Sequence, residues 1–250
     1  MPRFRHDDVE IAFLDEGEGE PIVLVHGFAS NAAVNWVQPG WVVFLKQAGR
    51  RVIALDNRGH GASTKLYDPA EYHSARMAAD VAALLDHLCL GRADVMGYSM
   101  GARIAAFLAL QDPQRVRSAI FGGLGRNLID GTGVPDEVAD ALLAPSPAAV
   151  SDSRARLFRV FAEQTKSDLR ALAACVRGSR QTLDRAQIAA IRVPVLVAVG
   201  SLDEIGGPAA ELASLLPAGQ ALEILGRDHM TAVGDKVFKQ GVLSFLAGRA

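Results

Sequence analysis

The chain has 250 residues, half of them hydrophobic and 22% charged, with a formal net charge of -2 and both signs scattered along its length. That length suits one large α/β domain or two small ones, and the balance of residues excludes intrinsic disorder. With no block of like charge, nothing draws the chain to nucleic acid or to an anionic membrane. No apolar run approaches the roughly 18 residues needed to span a bilayer, and no apolar signal core follows Met1-Pro2-Arg3-Phe4-Arg5-His6. A cytoplasmic protein is the expectation.

Residues 9–15 alternate apolar and polar side chains, as a half-exposed strand does, and Glu16-Gly17-Glu18-Gly19-Glu20 turns the chain back. Residues 21–25, Pro-Ile-Val-Leu-Val, form a continuous apolar run that ends at His26-Gly27, the pattern of a strand buried on both faces. The pattern recurs at 51–55, which ends at Asp56, and at 93–96, 118–122, 193–199 and 221–225. Helical patterns alternate with these strands. Between residues 77 and 90, Val81, Leu84, Leu85 and Leu88 fall on one helical face, and Phe238, Val242, Phe245 and Leu246 do so near the C-terminus. Such alternation predicts an α/β fold, a mostly parallel sheet with helices on both faces, whose working residues gather at the carboxyl ends of the strands. Cys89 and Cys175 fall in two expected helices far apart and read as buried free thiols, not as a disulfide or metal site. His6, His60, His73 and His87 show no metal-ligand spacing and read as surface or loop residues.

The alternation breaks between about Leu124 and Leu183, where helical segments are separated by turn signals such as Gly131-Thr132-Gly133 and Pro145-Ser146-Pro147. Leu157, Phe158, Val160 and Phe161, then Leu169, Leu172, Ala173 and Val176, mark the apolar faces of two helices. Asp184 with Gln187 three places on is the signature of a capping box that restarts the core. The expected organisation is a core of residues 1–123 and 184–250 interrupted by a helical cap at 124–183.

Gly97-Tyr98-Ser99-Met100-Gly101 stands between the apolar run at 93–96 and a stretch of good helix formers from Arg103 to Leu110. Strand, sharp turn and helix around Gly-x-Ser-x-Gly is the context of a nucleophile elbow. A serine nucleophile needs a base, an orienting acid and an oxyanion hole. His229 directly follows the run at 221–225, and Asp203 follows the run at 193–199, which gives the chain order serine, acid, histidine. Glu204 is a rival to Asp203, and Asp228 reads as a solvated loop acid. The backbone N–H groups of Met100 and Phe28 are the candidate oxyanion donors, with His26 buttressing the Phe28 loop. Trp36, Leu124, Phe158, Phe161 and Met230 are candidates for an apolar pocket wall.

His26-Gly27-Phe28, Asp56-Asn57-Arg58-Gly59-His60-Gly61-Ala62-Ser63, the elbow, Asp203 and His229 together resemble the α/β-hydrolase superfamily over essentially the whole chain. One departure is that Asp228 stands where many relatives have glycine. The resemblance implies a structural role for residues 56–63 and a serine hydrolase of small-molecule esters that requires no metal or organic cofactor. The serine argues against the branches that carry aspartate at the elbow. A lactonase, a carbon–carbon bond hydrolase, a cofactor-free perhydrolase and a non-catalytic ligand receptor of the same fold are the alternatives. Acyl preference and oligomeric state carry no sequence signal.

Overall fold

The computed structural model of the chain describes residues 1–131 and 136–249. Strands β1 (Arg3–His6), β2 (Val9–Glu16), β3 (Glu20–Val25), β4 (Arg50–Leu55), β5 (Ala93–Tyr98), β6 (Val116–Gly122), β7 (Val195–Gly200) and β8 (Gly219–Ile224) form one sheet in the order β1-β2-β4-β3-β5-β6-β7-β8. The pairings β1·β2 and β2·β4 are antiparallel and the others parallel. The helices are α1 (Trp41–Gln47), α2 (Ser74–His87), α3 (Met100–Gln111), α4 (Asn127–Asp130), α5 (Glu137–Leu143), α6 (Ser153–Gln164), α7 (Leu169–Gly178), α8 (Arg185–Ala190), α9 (Ala209–Ala213) and α10 (Lys236–Gly248). Among the described residues no helix is long and apolar enough to cross a membrane.

The central strands are mostly apolar on both faces because alternate side chains enter different cores. Val23, Val25, Val95, Phe121 and Val197 pack under α2, α3 and α9, whereas Ile22, Leu24, Met96, Ile120 and Leu196 meet α1 and α10 on the other face. The strand expected at 221–225 starts two positions earlier, ends one earlier, and buries only Ile224. As the sheet edge it pairs with β7 alone, which leaves Gln220, Ala221 and Glu223 exposed and Leu225 in the turn beyond it. No strand intervenes between β6 and β7 among the described residues; α4 to α8 fill that span. The turn signal at Gly131 appears as the left-handed end of α4, with Thr132 and Gly133 outside the described residues. Asp184 and Gln187 form the expected reciprocal cap on α8.

Three expectations need correction. Leu157, Phe158, Val160 and Phe161 are not the buried side of their helix: α6 buries Ala155, Arg159 and Ala162 and turns its large apolar groups toward open space beside the sheet's carboxyl edge. Cys175 is buried, but Cys89 lies past the end of α2 in a left-handed turn and is exposed. His60 is fully buried, because its ring packs edge-on against that of His26.

Two close backbone approaches lie at the elbow between β5 and α3. A Cβ on Gly97 would sit 2.0 Å from the Gly101 carbonyl oxygen, and one on Gly101 would sit 1.9 Å from that of Val25. Neither gap can be closed without moving backbone. Gly101→Ala is expected to cost about 3 kcal/mol or more and to lower the thermal midpoint by roughly 6–12 °C. Gly91→Ala, whose new Cβ would meet nothing within 4 Å, is the control and should shift it by no more than about 2 °C. Equal midpoints for the two variants in a calorimetric scan would show that the elbow tolerates a side chain.

Candidate active site

Ser99 sits on the turn from β5 into α3 with φ 55° and ψ -114°, a conformation that costs a non-glycine residue about 1–3 kcal/mol. The turn persists because β5 is hydrogen-bonded on both sides and α3 is packed directly onto it. It leaves Ser99 half-buried, with its hydroxyl aimed off the carboxyl edge of the sheet toward His229.

His229 Nε2 lies 2.9 Å from Ser99 Oγ and its Nδ1 lies 2.8 Å from Asp203 Oδ2. The other carboxylate oxygen of Asp203 accepts from the N–H groups of Ile205 (2.9 Å) and Gly206 (2.8 Å), so the acid is fixed from two sides and fully buried. The loop carrying the imidazole is held by Tyr98, whose hydroxyl donates to the His229 carbonyl oxygen at 2.6 Å. An imidazole so placed can take the proton of the serine hydroxyl, with a carboxylate to stabilise the resulting charge. The rivals to Asp203 are elsewhere. Glu204 is exposed and pairs with Arg154 at 3.2 Å, and Asp228 caps its own turn by accepting from the N–H groups of Met230 and Thr231.

The N–H groups of Phe28 and Met100 donate to no protein acceptor among the described residues, and both residues border the same cavity as Ser99. Met100 is the first residue of α3, where backbone N–H groups lack intrahelical partners. The Phe28 turn is fixed beneath. Asn35 Oδ1 accepts from Gly27 N–H at 2.9 Å, His26 Nδ1 donates to the Gly27 carbonyl at 2.7 Å, and His26 Nε2 accepts from Asn57 N–H at 2.9 Å. Those two bonds require the neutral ring, and burial pushes its pKa down to about 4. Burial, with the neighbouring His26, likewise pushes His60 down to about 3.

Of the five candidate wall residues, Leu124 borders the small cavity at Ser99, and Phe158, Phe161 and Met230 border a second cavity of about 240 Å³ that also touches Ser99 and His229. Trp36 does not belong with them. It is fully buried on the opposite side of the sheet, edge-on to Trp41 with ring centroids 6.2 Å apart, because the chain after β3 turns back onto the α1/α10 core. Sequence reasoning missed Tyr98, Asn35 and Arg103. Tyr98 flanks the nucleophile in the motif, but its partner is 131 residues away. Arg103 lies one helical turn after Ser99 and borders the same cavity, and that spacing is a signal the sequence does contain.

The "alpha/beta hydrolase fold" family profile matches residues 20–144. A provisionally named non-heme bromoperoxidase of Mycobacterium tuberculosis is 33% identical over 247 residues, covering 89% of this chain and 91% of the relative. A solved enzyme described as degrading N-acyl homoserine lactones superposes with TM-score 0.77 and 26% identity, covering 98% of this chain and 100% of its own. The enol-lactonase of Burkholderia xenovorans shares the fold with TM-score 0.81 at 22% identity, covering 98% of this chain and 100% of its own.

Unfolding frees His26 and His60 to titrate near the ordinary 6.5, whereas in the fold they stay neutral down to about 4 and about 3. Below pH 6.5 the unfolded chain therefore binds the extra protons, so stability is full above that value and is lost as pH falls toward the folded pKa values. From pH 7.5 to pH 5 the expected loss is about 2 kcal/mol for each histidine, to be measured by urea denaturation. A flat profile over that interval would mean that both rings accept protons inside the fold, and a loss of half that size that one of them does.

Proposed function

The chain belongs to the α/β-hydrolase fold family, and from that premise we propose that it hydrolyses carboxylic esters of small or medium, largely apolar acyl groups through an acyl-enzyme. The observation that carries the reading is the single imidazole within hydrogen-bond reach of both Ser99 Oγ and Asp203 Oδ2. Ser99 attacks the carbonyl carbon as His229 takes its proton, and Asp203 holds the imidazole and balances its charge. The N–H groups of Phe28 and Met100 receive the oxyanion. Collapse breaks the bond to the alcohol, which leaves with the proton from His229. Water then gives a proton to His229, attacks the acyl carbon and releases the acid, and the proton returns to Ser99.

The cavity of about 240 Å³ bordered by Val34, Phe158, Phe161 and Met230 supports an apolar group of limited size beside the serine. A wider groove of about 570 Å³ shares Phe158, Phe161, His229 and Met230 with it and leaves room for the other half of the ester. A second reading, attack on the acyl-enzyme by hydrogen peroxide in place of water, draws on the name of the Mycobacterium tuberculosis relative. Lactones enter the substrate panel on the strength of the lactone-degrading neighbour at 26% identity.

A panel of p-nitrophenyl esters graded by acyl length, with lactones and a peroxide arm, tests the proposal. Turnover should peak at short to medium acyl chains and fall on the order of 10⁶ in kcat in Ser99→Ala. Retention of most activity by that variant would refute the assignment. Asp203→Asn should lose on the order of 10⁴ in kcat through the wrong imidazole tautomer, whereas Glu204→Gln should change it little. The reverse ranking would transfer the acid's role to Glu204.

A further inference from the structure

The buried arginines of the described residues are matched with carboxylates, with one exception. Arg50 meets Glu20 at 2.7 Å and Asp94 at 3.1 Å, Arg58 meets Asp80 at 2.7 Å, and Arg159 meets Glu163 at 2.9 Å. Arg103, only 6% exposed, has no carboxylate partner among the described residues. Among the described residues its one hydrogen bond runs from Nη1 to the Gln181 carbonyl oxygen, although a guanidinium carries five donors in a planar fork. A buried charge without a counter-ion is costly. Burial, with the Arg180 charge nearby, lowers its pKa to about 10, which leaves it cationic at neutral pH.

Arg103 also faces the site. It follows Ser99 by four residues, which places both on one face at the start of α3, about 6 Å apart along the axis. Both border the small cavity, whose apolar walls include Phe28 and Leu124 and whose remaining charge is Arg180. Arg180 is already paired with exposed Asp136 at 2.5 Å. The cavity holds about 40 Å³, roughly three times what one ordered water requires, which is space for a small group.

We propose that Arg103 forms a carboxylate-binding subsite beside Ser99, so that the favoured substrates are esters carrying a free carboxylate a few atoms from the scissile carbonyl, such as half-esters of short dicarboxylic acids. The proposal rests on the ester-hydrolase reading and narrows its substrate class. The apolar walls hold the intervening methylenes, and in water-poor surroundings a guanidinium–carboxylate pair is stronger than at the surface. Arg103 acts on the bound ester at a distance from the reacting atoms, as a binding residue.

Two p-nitrophenyl esters test this, the glutarate half-ester and the neutral valerate of the same chain length. Their ratio of kcat/KM should favour the half-ester by about tenfold or more in the native protein, fall at least tenfold in Arg103→Met, and recover in part in Arg103→Lys. A native ratio near or below one, or an unchanged ratio in Arg103→Met, would overturn the subsite. An arginine that only ties α3 to residue 181 would depress both esters together and leave the ratio alone. Calorimetric titration of glutarate into the Ser99→Ala protein separates the two ideas and needs no folded Arg103 variant. Millimolar or tighter binding that weakens with salt supports the subsite, and no binding overturns it. Glutarate binding without turnover of either ester would remove the hydrolase reading and leave the anion subsite standing.

Discussion

Two glycines and a strained serine hold β5, α3 and the end of β3 closer together than any side chain would permit. At Gly101 the helix backbone lies against the Val25 carbonyl, and at Gly97 the strand lies against the helix it feeds. That contact keeps Ser99 in its left-handed conformation, because relaxing the turn would pull α3 off the sheet. It also sets the Phe28 turn beside the first N–H of α3, since β3 leads directly into His26-Gly27-Phe28. The geometry of the candidate nucleophile and its two candidate oxyanion donors thus descends from this backbone close approach.

The acid and the imidazole arrive from the opposite half of the sheet. β7 and β8 extend the parallel order beyond β6, and their loops deliver Asp203 and His229 to the carboxyl edge where β5 ends. Each loop is pinned by polar contacts: two N–H groups clamp Asp203, and the Tyr98 hydroxyl holds the His229 backbone from below. The buried neutral pair His26 and His60 does the same for the Phe28 turn. Unpaired polar atoms are expensive in such surroundings, so each bond both satisfies a buried group and fixes a loop.

The segment over this edge inverts the usual arrangement of a surface helix. α6 buries Arg159, which donates to three carbonyl oxygens around the end of α5, and presents Phe158 and Phe161 to the cavity beside Ser99. Buried charge with its partners forms the scaffold on that side, and half-buried apolar side chains line the cavity. Among the described residues Arg103 departs from this scheme as a buried charge lacking a carboxylate, in the small cavity it shares with Ser99.

Taken alone, the sequence determined what depends on local pattern. Continuous apolar runs mark strands buried on both faces, Asp184 with Gln187 marks a helix start, and Gly97-Tyr98-Ser99-Met100-Gly101 marks a turn whose glycines are obligatory. Chain order and position after a strand were enough to nominate Asp203 and His229, because in a parallel sheet every such loop emerges on one edge. Only the tertiary structure decided which side chains share a cavity. Trp36 and Phe158 look alike as large apolar residues outside the strands, yet one faces the core behind the sheet and the other the cleft in front. β8 reads as buried until its place at the sheet edge is known. The Tyr98 tether and the carboxylate missing from Arg103 depend on residues remote in the chain, and spatial neighbours of that kind leave no trace in periodicity or spacing.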